Sequence, residues 1–470
     1  MNGLTIINDI GKQIDQTEVP TLDGEVKSWL RKLEEPITYF GEDNYDRRQR
    51  LIKLLNERPN TNFQEGIEIE GGIENEGEED DDDDDEEFYT PGSEDLLQAR
   101  KNILYKSLTN ARTRIRSQQQ EYEPNFIKIL KHRRVINSKL SKYELYGTQL
   151  IPNNKRAIST VKYNKDSSLI ACGSWDGNLY ILDNNLNKTF QSTPGYHTEK
   201  VSGVDWLDNN LITGGNEGTI NFWEIGNTKP IKSIKEAHSE RITNTLFHPG
   251  NEYFISTSFD QTWKLWDYKT SKELMQQEGH SKEVLSASFH PDGSILATGG
   301  MDAIGKLWDL RSGKLIENLT SHILPIYSID WSGNGYQFVT GSGDCSIKVW
   351  DLRKLDNRFK NKPQGEIFSI PAHKKLISNV KFYQNSDISR QSLIEEVTDE
   401  DDLNPSLLSS NGNFLISSSF DGDIKIWSSD NWIQLANLST NDKVMNCDIS
   451  ASGKQIVSSS WDKSIKLWSC

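Results

Sequence analysis

Cysteine is scarce in this sequence: there are four in 470 residues, at Cys172, Cys345, Cys447 and Cys470, with no CxxC pair. That spacing excludes a disulfide framework or a zinc knuckle and points to a reducing compartment. No apolar run reaches the length of a membrane span, and Met1 to Gly24 lacks the basic start and apolar centre of a secretory signal. Hydrophobic residues make up only 34% of the chain, so part of it is expected never to pack. A Gly-rich phosphate loop with a following Lys-Ser/Thr, a GxSxG elbow and an HExxH pair are all missing. No unique constellation for catalysis stands out, so neither an enzyme nor a cofactor or metal site is expected.

Charge is uneven. The net charge is −16, yet residues 65–87 hold 15 acidic side chains and no Lys or Arg. The acidity therefore belongs to one segment, and a basic partner does not follow from the overall balance.

What the chain has in abundance is a repeat. Seven segments align, from GSWDGNLYILD ending at Asp183 to SSWDKSIKLWS ending at Ser469. Their turn acids are Asp176, Glu217, Asp260, Asp302, Asp344, Asp421 and Asp462, spaced 41, 43, 42, 42, 77 and 41 residues apart. One repeat thus carries an insertion, at about 384–412, with seven acidic residues between Asp387 and Asp402. Alternation such as Lys348-Val349-Trp350 marks strands with one buried face. His238, His280 and His322 each lie 22 residues before their turn Asp. His197 and His373 hold the same place, and His248 and His290 sit in His-Pro turns.

This pattern resembles the WD-repeat family, and the resemblance implies an all-β seven-bladed propeller over residues 144–470. It also implies structural roles for His238, Asp260 and Trp266, for His280, Asp302 and Trp308, and for His322, Asp344 and Trp350. Each set would join a Ser or Thr in a buried network rather than bind a metal. The seventh repeat shows three strands, and Tyr146–Pro152 is expected to pair with 464–469 and lock the ring. The residue before each turn acid tends to face the top surface in such proteins. Trp175, Phe259, Phe420 and Trp461 are therefore candidate protein-binding residues. The competing reading is that they fill space against each other or against the N-terminal helices.

The N-terminal third reads as mainly α-helical and partly disordered: a disordered tail at 1–21, short helices in 22–56, an acidic linker at 57–92 and a basic helical segment at 93–143. Val26, Trp29, Leu30 and Leu33 share one helical face. Ser93 is a candidate N-cap, and Leu97, Leu104, Leu108, Ala111 and Ile115 follow as a stripe. Residues 100–142 hold 12 Lys or Arg against Glu121 and Glu123. Arg112, Arg114, Arg116, Lys128, Lys131, Arg133 and Arg134 are accordingly candidate RNA-phosphate contacts, the competing use being pairing with acidic surfaces.

Taken together, LRKLEEPITYFGEDNYDRRQRLIKLL (30–55), FYTPGSEDLLQAR (88–100) and the seven repeats resemble the pre-mRNA processing factor four family, WD-repeat subunits of the U4/U6 small nuclear ribonucleoprotein. The resemblance implies a nuclear, non-catalytic splicing scaffold in the tri-snRNP. Its implied partners are pre-mRNA processing factor three, other tri-snRNP proteins and U4/U6 small nuclear RNA, with no membrane and no small-molecule substrate. An alternative reading rests on Trp308-Asp309-Leu310-Arg311 and Trp350-Asp351-Leu352-Arg353. These match boxes that recruit some propellers to cullin-type ubiquitin ligases. Histone chaperoning would explain the acidic tract alone.

Overall fold

The structure is a computed structural model that describes residues 23–33, 35–36, 44–57, 93–122, 126–151, 155–355, 365–384 and 412–470. The expected tail at 1–21, most of the 57–92 linker and the insertion acids lie outside the described residues. The chain divides into two compact units, Met1–Tyr89 and Thr90–Cys470.

In the first unit, helix α1 (Asp23–Lys32) and helix α2 (Asn44–Glu57) bury one stripe each. Val26, Leu30 and Leu33 pack against Leu51 and Leu55, with Trp29, Ile52 and Leu54 partly covered around them. The 3–4 residue spacing of α1's apolar positions puts them on one face, as the sequence indicates.

The second unit is a ring of seven four-stranded antiparallel sheets. Blade 1 holds strands β2–β5 within 158–191, blade 2 holds β6–β9 within 201–234, and blade 3 holds β10–β13 within 242–277. Blade 4 holds β14–β17 within 284–319, blade 5 holds β18–β21 within 326–371, and blade 6 holds β22–β25 within 377–439. Blade 7 is β26 (Val444–Ile449), β27 (Gln455–Ser460) and β28 (Ser464–Ser469), completed by β1 (Glu144–Leu150). β1 pairs antiparallel with β28, from Glu144 opposite Ser469 to Leu150 opposite Ser464. The ring is thus locked as anticipated, although the strand starts two residues before Tyr146, and Pro152 lies outside the described residues.

Neighbouring blades are stitched along their inner strands. Asp205 accepts the Phe247 backbone N–H at 2.7 Å, Asp330 accepts that of Phe382 at 2.8 Å, and Asp448 accepts that of Tyr163 at 2.7 Å. The Asp448 bond joins blade 7 to blade 1. A buried carboxylate on a neighbour's backbone donor fixes the rotation between two sheets, and the low dielectric of the interior strengthens that bond.

Two long helices lie in the same unit. Helix α3 runs from Glu94 to Tyr122 and helix α4 from Phe126 to Leu140. Ser93 caps α3, its Oγ accepting the Leu96 N–H at 3.2 Å. The stripe read from the sequence is not the packed face of α3. Leu96, Ala99 and Ile103 enter the core beside Tyr253, Trp263 and Met275, whereas Leu97 and Leu108 are 56% and 57% exposed. Helix α4 sinks Ile136 and Leu140 among Tyr383, Phe414 and Trp468.

Candidate functional site: two opposed faces of the propeller

In an antiparallel blade, the loops joining first to second and third to fourth strands emerge on one face. The turn joining second to third emerges on the other. The turn acids therefore all share one face, here called the top.

The top turns of blades 2 to 6 are pinned from below by a histidine. His238 Nδ1 meets Asp260 at 2.8 Å while its Nε2 meets Ser256 Oγ at 2.6 Å, and Trp266 Nε1 donates to the same Ser256 at 2.9 Å. The sets His280–Asp302–Thr298–Trp308 and His322–Asp344–Thr340–Trp350 repeat this arrangement. His373, Asp421, Ser417 and Trp427 do so in blade 6. In blade 2 the pin is His197 between Glu217 and Thr213, with Trp223 on Thr213 at 2.8 Å. Desolvation alone would raise the Asp260 carboxyl. The hydrogen bond and charge of His238, with help from Thr262, instead hold it at about 2. Asp302, Asp344 and Asp421 are lowered against the same burial cost by their own histidines and backbone donors. Both nitrogens of every pin histidine are engaged, so none is free to abstract a proton or hold a metal.

The residue after each turn acid has positive φ in all seven blades: Gly177, Gly218, Gln261, Ala303, Cys345, Gly422 and Lys463. This left-handed kink lets the acid's own oxygen take the backbone N–H two residues on, as from Thr262 to Asp260 at 3.1 Å. The preceding residue is thereby turned outward.

That outward residue builds an arc on the top face. Trp175 and Trp461 meet edge to face with centroids 5.3 Å apart. Lys443 stands over both Phe420 and Trp461, at 5.7 and 5.8 Å, Lys200 stands over Trp175 at 4.9 Å, and Arg241 over Phe259 at 6.0 Å. Burial and the neighbouring Arg241 pull the Lys200 ammonium below the usual lysine range. The four aromatics named from the sequence thus fall on one arc spanning blades 6, 7, 1, 2 and 3. The three cations between them carried no signal in the repeat pattern. Trp461 is 43% exposed, and the buried Trp175 Nε1–H has no acceptor among the described residues.

The bottom face carries the helices. Arg114 of α3 forks onto Asp292 at 2.8 and 2.7 Å and donates to the Asn334 carbonyl at 2.8 Å. Lys106 reaches the Gly250 carbonyl at 2.8 Å and Glu252 at 2.9 Å, and Asn102 reaches Tyr253 Oη at 3.1 Å. Arg133 of α4 pairs with Asp430. Arg114 and Arg133 therefore hold their helices on the propeller, the intramolecular use of basic residues. Arg112, Arg116, Lys131 and Arg134 remain exposed, and the Lys128 side chain lies outside the described residues.

Beneath Arg114 a cavity of about 560 Å³ opens at the bottom of the central channel. Its charges are mutually neutralised, Lys162 by Asp205 at 2.7 Å, Lys381 by Asp330 at 3.8 Å and Arg114 by Asp292. Its charged side chains are thus balanced among themselves.

Residues 26–54, which form the core of the α1–α2 pair, match the family described as pre-mRNA processing factor 4 (PRP4) like. The WD domain, G-beta repeat family matches residues 147–183, 228–267, 271–309, 313–351, 403–428 and 432–469. This chain belongs to the PRP4-like WD-repeat proteins. Blade 2, which has Glu217 where its siblings have Asp, falls between the matched repeats, yet its pin is complete. The chain is 34% identical over 272 residues to the U4/U6 small nuclear ribonucleoprotein PRP4 of Saccharomyces cerevisiae, covering 56% of each. It is also 34% identical over 258 residues to an uncharacterized WD repeat-containing protein of Schizosaccharomyces pombe, covering 53% of each. A PRP4-like protein of Arabidopsis thaliana is 30% identical over 263 residues, 55% of this chain and 39% of the relative. The matches thus span about half the length of the first two relatives and less of the third.

Proposed function

We propose that this PRP4-like chain is a non-catalytic scaffold subunit of the U4/U6 small nuclear ribonucleoprotein and of the tri-snRNP, acting in the nucleus in pre-mRNA splicing. The observation that carries this reading is the PRP4-like match at residues 26–54 in one chain with the propeller, alongside relatives bearing that name. Two opposed faces suit a scaffold. The aromatic arc of Trp175, Phe259, Phe420 and Trp461 docks a splicing protein on top, pre-mRNA processing factor three being the first candidate. The exposed Arg112, Arg116, Lys131 and Arg134 approach U4/U6 small nuclear RNA below.

The cullin-adaptor alternative has less support. Arg311 lies against its own Asp309 at 3.0 Å, while Arg353 pairs with Asp351 at 2.7 Å and stacks over Tyr336 at 3.9 Å. Both arginines are folded back onto their own repeat.

The test is to purify the tagged full chain from nuclear extract and identify what travels with it. U4 and U6 RNA with splicing proteins are the expected companions; a cullin adaptor or histones in their place would refute the proposal. Within the recovered particle, Trp175→Ala with Trp461→Ala should reduce at least one splicing protein while the melting midpoint is unchanged. Full retention of every protein would remove the arc from the proposal.

A further inference from the structure

Helix α3 carries a second apolar stripe that the described residues leave largely open. Leu97, Lys101, Leu104, Leu108, Ala111 and Ile115 follow one another at spacings of 4, 3, 4, 3 and 4. That is a strict seven-residue repeat, the seam of a two-helix coiled coil, and it runs for roughly 27 Å along the axis. The seam is open: Leu97 and Leu108 are more than half exposed, Ile115 is 47% exposed, and Leu104 and Ala111 are half-buried. The packed face of the same helix, Leu96, Ala99, Ile103 and Ser107, lies about 100° away around the axis. Apolar side chains at 3.5-residue spacing contribute little to a helix that already has a complete core face.

We propose that this seam is the docking site of an acidic amphipathic helix of a partner protein. Three features select that occupant. The repeat is helical in period, so a helix fits it and an extended strand or a loop does not. Lys101 sits within the seam with Arg112 and Arg116 beside it, all three exposed and without a carboxylate partner among the described residues. Residues 96–119 contain no Asp or Glu at all. A lysine in an apolar seam fixes register by demanding an opposite charge across the interface. A second copy of α3 fails that demand, since parallel pairing sets Lys101 against Lys101 and antiparallel pairing sets it near Arg112. The flank formed by Arg100, Ser107 and Arg114 is occupied by the propeller, so the partner helix enters from the side of Tyr105, which is 70% exposed, and Arg112. This inference does not rest on the splicing proposal, but it shares Arg112 and Arg116 with the RNA-facing set, so an acidic helix and RNA would compete for those two residues.

The experiment uses the full chain and a fluorescein-labelled synthetic peptide of four heptads, with Leu at both seam positions and Glu at both flanking positions. The expected result is saturable binding by fluorescence anisotropy, at least tenfold tighter than for the same peptide with Lys flanks. Leu108→Ser with Ile115→Ser should weaken it at least tenfold with the melting midpoint unchanged, and Lys101→Glu should reduce or reverse the charge preference. Equal binding by wild type and the double variant would overturn the proposal. So would self-association abolished by the double variant in sedimentation, or seam-dependent binding to phosphatidylserine vesicles in place of the peptide.

Discussion

The strain at Ala303 shows how the repeat constrains a single residue. With φ at +63°, it occupies the left-handed region that its Cβ disfavours, in the position filled by glycine in blades 1, 2 and 6. Relieving such strain is worth about 1 kcal/mol, somewhat offset by glycine's extra freedom in the unfolded chain. Ala303→Gly is therefore expected to leave stability unchanged or raise it by up to about 1 kcal/mol in denaturant unfolding; a loss of more than that would show the kink does not cost what its geometry implies. His248 supplies a pH-dependent counterpart. Its Nε2 donates to the Gly293 carbonyl at 2.7 Å across the blade 3–4 boundary, and burial brings its pKa down to about 4. The folded value lies below the unfolded value of about 6.5, so the unfolded chain takes the proton first. Stability should fall as pH drops from about 6.5 to about 4 and receive no further change from this group below that. The full effect is up to about 3 kcal/mol. His290 and His373 are shifted the same way, so His248→Gln should make the slope between pH 6.5 and 4 shallower without abolishing it. An unaltered slope would mean His248 is not held neutral.

At the scale of elements, β1 is the piece whose loss should matter most. It covers β28, whose unpaired edge would otherwise expose a row of backbone donors and acceptors. Replacing residues 145–150 with a Gly-Ser segment is expected to lower the melting midpoint and promote aggregation, read by calorimetry and light scattering. An unchanged cooperative transition would show that the ring closes without this strand. This pairing was legible in the sequence, because three strands of the seventh repeat imply a fourth and period-two patterning restricts where it can come from. The pins were legible for a similar reason: His238, His280 and His322 repeat one spacing to their acids. Helix α3 was not. Its two stripes, Leu96–Ala99–Ile103 and Leu97–Leu104–Leu108, are almost equally apolar, and periodicity cannot say which one meets a surface formed 150 residues later. The arc was half legible. Its aromatics stand at a fixed place in the repeat, whereas Lys200, Arg241 and Lys443 come from the loops that precede each inner strand, where the repeat imposes no residue type.

The propeller unit separates two kinds of surface chemistry. Aromatics interleaved with cations occupy the top of the ring, while the basic helices occupy the bottom, and the core between them is built from sheets whose turns are pinned in blades 2 to 6. Of the seven basic residues first suspected of touching RNA, Arg114 and Arg133 are consumed in holding the helices down. Their removal should therefore act on architecture, while Arg112, Arg116, Lys131 and Arg134 should act on binding alone. Counterion release turns this division into a measurement: each phosphate contact contributes about −0.7 to the slope of log K against log salt on single-stranded RNA and about −0.9 on a duplex. Substituting all four exposed residues with Gln should weaken U4/U6 RNA binding uniformly across sequences and flatten that slope by up to about 3 on single-stranded RNA and nearly 4 on a duplex, with the melting midpoint unchanged. Arg114→Gln should flatten it little yet expose α3 to limited proteolysis between Glu94 and Tyr122. If wild type shows no salt dependence, or if Arg114→Gln flattens the slope as much as the fourfold variant does, then the exposed face of these helices is not where RNA is held.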